Sequence, residues 1–185
     1  DRSIHKNNPP SAPPSSRQVI AQGSKSFALA SLFFGESIRK DVYELYRWLR
    51  FSDDWIDHAK SAEDAKIRVA HLKFEISKCY LVPNESQEFQ PGEVNSEVVG
   101  GSPSADGLDA SRERVEFTRA MQGLTCLIRR QQIKKNLFYD FLDGMNSDAQ
   151  GELIRTEADL WRYCYRVAGT VGLLMCSMTG VRDQR

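Results

Sequence analysis

A helix that must bury one face while carrying three aspartates leaves few folds open, and residues 46–57, YRWLRFSDDWID, describe one. At about 3.6 residues per turn, Tyr46, Arg50, Asp53 and Asp57 fall within roughly 60° of arc on one side. Val42, Leu45, Leu49 and Ile56 make an apolar stripe beside them, and Trp48 and Trp55 cover a third side. Little is left for water beyond the strip around Glu44, Arg47 and Asp54. An ionised carboxylate next to a core is costly unless it is paired or bound to a metal. Two readings meet that demand. In one, Arg50 pairs with Asp53 or Asp54 on a solvated face, as helix residues three and four apart commonly do. In the other, Asp53 and Asp57, one turn apart, aim hard oxygen donors at a shared Mg²⁺, whose remaining positions go to water and phosphate oxygens. Arg50, one turn back, then grips the same phosphates with its planar fork of donors.

Helical period dominates the remaining chain, and no stretch reads as a strand. A first helix is expected from about Ser16 to Ala30, bent near Gly23. Gly35 breaks the chain before the central helix, about Glu36 to Ala59. Ser61 and Asp64 suggest a capping box, opening a helix with Ala65, Val69, Leu72, Ile76 and Cys79 on one face. Residues 82–108 lose all period and fill with Pro, Gly, Ser and acidic residues, which predicts a long surface loop. Helix resumes by about Ser111, with Phe117, Met121, Leu124 and Ile128 on one side, and a short helix includes Leu137 to Met145. Thr156 with Asp159 marks another capping box. A final helix then carries Leu160, Cys164, Val167, Val171, Leu174 and Met178 as a long buried stripe. The expected fold is all-α, a bundle-like or orthogonal helical array.

The 185 residues suffice for one domain with a real core. Twenty-five basic residues balance 25 acidic ones, so no basic footprint points to nucleic acid. Cys79, Cys126, Cys164 and Cys176 show neither CxxC nor His-paired spacing and read as buried free thiols of a reducing, cytoplasmic compartment. No apolar run is long enough to span a bilayer. Residues 1–16, rich in Pro and Ser without an apolar core segment, read as a disordered tail and not a signal peptide. His58 and His71 have no partner at ligand spacing and are expected on the surface.

Three stretches, in this order, resemble the phytoene synthase/squalene synthase family of head-to-head prenyl transferases. They are Gly23-Ser24-Lys25-Ser26-Phe27 with the ALASLFF that follows, Ile38 to Asp57, and Asp143-Gly144-Met145 with Asp148, continued by Tyr163 to Gly172. The likeness covers roughly residues 16–80 and 111–183 and is nearest the phytoene synthase branch. It implies an isoprenoid-synthase helical array around a central cavity that binds two prenyl diphosphates. It also implies Mg²⁺, with Mn²⁺ as an alternative, and NADPH only for squalene-type chemistry. One diphosphate departs, and the allylic cation attacks the second chain to give a cyclopropylcarbinyl diphosphate. That product ionises again and rearranges. Asp53 and Asp57 resemble the metal ligands, with Tyr46 and Arg50 beside the reacting diphosphate. Ser24, Lys25 and Ser26 resemble the diphosphate loop. Phe27, Tyr163, Val167, Val171 and Gly172 resemble the prenyl pocket, and Asp148 matches a polar position at the cavity edge. The hydrophobic product leaves peripheral membrane association open.

Plain structural roles stand beside these. Ser24 and Ser26 could be turn residues, Val167 and Val171 core, Gly169 and Gly172 close-packing positions, and Tyr163 an ordinary buried tyrosine. The family's second aspartate-rich motif is not found after Tyr163, so residues 17–185 are expected to be the N-terminal part of a prenyl synthase domain. The 82–108 loop is longer than the family's. Squalene or dehydrosqualene synthesis from farnesyl diphosphate is the rival enzymatic reading. A non-catalytic assembly protein of the same fold is the rival of another class.

Overall fold

The computed structural model describes Leu29, residues 31–81 and residues 105–180, with side chains placed from Ser111 onward in the last stretch. The helices are α1 (Glu36–Asp57), α2 (Ala62–Cys79), α3 (Ala105–Gln131), α4 (Lys135–Ala149), α5 (Glu157–Cys164) and α6 (Thr170–Met178). A π-turn, Tyr165–Gly169, joins α5 to α6. No strand occurs among the described residues, so the all-α expectation holds. The expected tail, the first helix, and Ser24, Lys25, Ser26 and Phe27 lie outside the described residues, as does most of the 82–108 stretch.

Helix α1 is the centre of the packing and touches α2, α3, α4 and α6. Its predicted stripe is the core: Val42, Leu45, Trp48, Leu49 and Ile56 are all buried. Trp48 meets the Phe138 ring edge-on at 5.2 Å and Phe141 at 5.9 Å, which anchors α1 to α4. The five predicted residues of α2 are buried too, and α3 adds Met121, Leu124, Leu127 and Ile128. Asp41, also buried, accepts bonds from Arg130 and Gln131 and ties the start of α1 to the end of α3. A buried carboxylate is tolerated because both of its oxygens are engaged by donors.

Five expectations need correction. Helix α3 begins at Ala105, so the loop ends earlier than residue 108. The residues that open this helix carry no apolar period to announce it. Arg47 is buried at 3% exposure, not solvated, because its guanidinium reaches Glu116 at 3.5 Å and Glu44 at 3.9 Å. Only Cys79 of the four thiols is buried. Of the six stripe positions after Thr156, only Leu174 and Met178 are in the core. The π-turn inserts an extra residue there and rotates α5 out of phase with α6. Finally, the Thr156/Asp159 capping box is complete, whereas Asp64 returns its carboxylate to the Lys60 N–H instead of to Ser61.

Candidate functional site

The polar face of α1 forms as the helical period requires, half in and half out of solvent. Tyr46 and Asp53 are partly buried, and Arg50 and Asp57 are exposed. Arg50 pairs with both candidates at once: Nη1 donates to Asp53 Oδ2 at 2.9 Å and Nη2 lies 2.8 Å from Asp54 Oδ1. The guanidinium is thereby held along the helix with its charge already shared between two carboxylates. Burial pushes the Asp53 carboxyl above its ordinary range, and Asp57 pushes it further. Arg50 opposes that rise, while Asp54 and Asp148 add to it. Asp148 belongs to α4, so carboxylates of two helices face one region.

The opposing wall comes from α4, α5 and the π-turn. Tyr163 donates its hydroxyl to Asp148 Oδ2 at 3.3 Å, and Tyr165 donates to Asp140 Oδ2 at 2.9 Å. Each carboxylate raises the pKa of its phenol, first through the hydrogen bond. Both phenols are held as donors at neutral pH. A cleft of about 60 Å³ at this wall is lined by Asp148, Asp159, Arg162, Tyr163 and Arg166. Val167 and Val171 are half-buried and Gly172 is exposed. A larger groove of about 610 Å³ lies on the side of α1 that carries Asp54 and Trp55, lined also by Arg47, Phe51, Arg68 and Glu116.

The donor set on α1 fits a hard divalent cation of a particular kind. Among the described residues no three His, Cys, Asp or Glu side chains converge as a protein-only cage. Mg²⁺ does not need one, since one or two carboxylates with water and phosphate oxygens complete its shell. Asp53 and Asp57, one turn apart on α1, are the two carboxylates that would fit such an ion, and the Asp53 carboxyl is raised first by burial and then by Asp57. The structure thus brings Tyr46, Arg50, Asp53 and Asp57 onto one face and links Asp53 electrostatically to Asp148, and through it to Tyr163. Arg162 and Arg166 carry no role in the sequence reading, although Arg166 sits inside the Tyr163 to Gly172 motif. Its signal was a cation on an otherwise apolar segment.

The described residues thus form an all-helical array whose central helix carries two aspartates one turn apart. The Squalene/phytoene synthase family profile matches residues 20–185, and the chain belongs to that family. It is 33% identical over 176 residues to a phytoene synthase of Pseudescherichia vulneris, covering 91% of this chain and 47% of that protein. It is 30% identical over 166 residues to the 15-cis-phytoene synthase of Pantoea ananas, covering 90% and 46% respectively. A crystal structure of a dehydrosqualene synthase with bound ligand superposes with a TM-score of 0.60 at 23% identity, over 88% of this chain and 45% of that one, which establishes the shared fold. The chain therefore spans about half the length of the relatives it matches.

Proposed function

We propose that this chain carries the first diphosphate-binding half of a head-to-head prenyl transferase of the phytoene synthase type, acting on geranylgeranyl diphosphate. The observation that carries the reading is the carboxylate face of α1, with Asp53 and Asp57 one turn apart and the Asp53 carboxyl raised by burial and by its acidic neighbours. The relatives in Pseudescherichia vulneris and Pantoea ananas, both named for phytoene synthesis, support the substrate class.

Asp53 and Asp57 would hold Mg²⁺, which when bound supplies positive charge to the oxygens of the departing diphosphate. The rest falls to the chain's own residues. Arg50, held along α1 by Asp53 and Asp54, is the cation placed beside the same oxygens. Ser24, Lys25 and Ser26 are assigned to the diphosphate as well, and Tyr46 flanks it from the α1 face. Tyr163, Val167, Val171 and Gly172 are assigned to the path of the prenyl chains, as the resemblance assigns Phe27, to keep water from the allylic cation. Asp148 accepts the Tyr163 hydroxyl, so the phenol's edge is fixed and its proton stays in place. The final cation loses a proton, so no reductant is consumed. No described helix is long and apolar enough to cross a membrane, and product handling at a membrane surface would be peripheral.

The test is a chimera in which residues 20–185 replace the matching half of the Pseudescherichia vulneris relative. Given geranylgeranyl diphosphate and Mg²⁺ without NADPH, it should make phytoene, and Asp57→Ala in it should not. Product extraction and mass analysis with each substrate, with and without NADPH, decide the branch. Squalene from farnesyl diphosphate only when NADPH is present would overturn the phytoene assignment. A folded chimera that releases no pyrophosphate from either substrate would overturn the enzymatic one.

A further inference from the structure

Gly144 stands inside α4 and is buried, at a position where glycine lowers helix stability relative to alanine. Its surroundings explain the residue. A Cβ there would lie 3.0 Å from Arg166 Cβ, 3.0 Å from Val167 Cγ1 and 3.3 Å from the Arg166 carbonyl carbon. All three atoms belong to the π-turn Tyr165–Gly169, which rests directly on the bare backbone of α4. Hydrogen bonds fasten the same contact on both sides. Tyr165 bonds to Asp140, four residues before Gly144, and Tyr163 bonds to Asp148, four residues after it. Arg166 Nη1 adds a 3.5 Å bond to Ser147 Oγ.

The π-turn is itself well satisfied. The Thr170 N–H reaches back five residues to the Tyr165 carbonyl, and the Thr170 hydroxyl bonds the Arg166 carbonyl at 2.6 Å. Gly169 leaves room for the Tyr165 ring, which a Cβ would approach at 3.3 Å. A methyl added at Gly144 fits only if Arg166 and Val167 give by a few tenths of an ångström, and the turn they belong to is braced from within by its own hydrogen bonds. Any displacement passes to the side chains it carries.

We propose that Gly144 is a specificity-determining position for the prenyl chain. Its absent side chain sets how closely the π-turn lies on α4, and therefore where Val167 and Tyr163 stand relative to the carboxylate face of α1. This rests on the prenyl diphosphate reading given above. In that reading the diphosphate end belongs to Asp53 and Asp57 on α1, whereas the atoms nearest a Gly144 Cβ are those of Arg166 and Val167, so the position acts on the chain and not on the headgroup.

The experiment compares Mg²⁺-dependent binding of inorganic pyrophosphate, farnesyl thiolodiphosphate and geranylgeranyl thiolodiphosphate by calorimetry, for the 185-residue chain and its Gly144→Ala variant. Far-UV circular dichroism checks the fold. The expected result is a loss of about fivefold or more for the geranylgeranyl analogue, a smaller loss for the shorter farnesyl chain, and little change for pyrophosphate. The same substitution in a Val167→Ala background should cost less, because one of the two closest atoms has been removed. That background also carries the comparison if Gly144→Ala alone does not fold. A Gly144→Ala variant that weakens all three ligands equally, or none, would overturn the inference. Wild-type protein that binds pyrophosphate but gains nothing from either prenyl chain would instead refute the prenyl reading, and the inference with it.

Discussion

Helix α1 and the α5–α6 limb carry the same kind of message in sequence and meet opposite fates in the fold. Each offers apolar residues at helical spacing beside a few polar groups. In α1 the stripe is buried almost completely, because α2, α3, α4 and α6 all close on it. In the limb, Leu160, Trp161, Tyr165 and Leu173 remain exposed and only Thr170, Leu174 and Met178 are fully covered. Periodicity reports which face of a helix is apolar, but not how many neighbours arrive to cover it. It also assumes an unbroken helix, and the π-turn breaks the limb's phase at Tyr165.

The sharpest way to break this contrast is with two tryptophans. Trp48→Ala removes a fully buried ring from between Phe138 and Phe141 and should cost about 3–5 kcal/mol of unfolding free energy. Trp161→Ala, at a side chain 70% exposed, should stay within about 0.5 kcal/mol of wild type. Urea unfolding of both variants measures the pair. Similar losses in the two would show that the limb is packed as α1 is.

A smaller effect is expected at the start of the limb. Thr156→Ala deletes a complete capping box, in which the Thr156 hydroxyl accepts from the Asp159 N–H and Asp159 returns a bond to the Thr156 N–H. Loss of the cap should cost about 1 kcal/mol. Hydrogen exchange should show the loss as weaker protection confined to α5. Weakened protection across α1 as well would mean that the limb and the core unfold as one unit.

The Asp53 carboxyl gives the smallest effect, with a definite sign. Its folded pKa is raised, so the folded state favours the protonated form, and stability from this group is present at low pH and lost as pH rises through that pKa. Asp53→Asn should therefore gain thermal midpoint relative to wild type on going from acid to neutral pH, measured in chelator. The gain is modest because the carboxylate is partly solvated and also pairs with Arg50. A midpoint difference that shrinks toward neutral pH would mean that the Arg50 pair outweighs burial and acidic crowding.

These particulars show what the sequence could and could not carry. Helix α1, its core stripe and the shared face of Tyr46, Arg50, Asp53 and Asp57 follow from 3.6-residue spacing alone, because both stripe and site lie on one uninterrupted helix. Both helix starts at Ser61 and Thr156 were legible from their caps. Arg47 was not, since its burial depends on Glu116 arriving from α3, far along the chain. The approach of Asp148 to Asp53 was hidden for the same reason, as were the exposed thiols. The π-turn has no periodic signature, and its seat on Gly144 is visible only once α4 and the limb are packed together.

Asp53 and Asp57 are proposed as a cation-dependent diphosphate site, and pyrophosphate titration of the 185-residue chain tests that role most directly. Calorimetry in Mg²⁺ and in chelator would be compared for wild type, Asp53→Ala and Asp57→Ala, with far-UV circular dichroism on each. Binding is predicted only with Mg²⁺, and should weaken about tenfold or more in either variant while helicity is unchanged. Equal binding in chelator, or unaltered affinity in both folded variants, would contradict the claim.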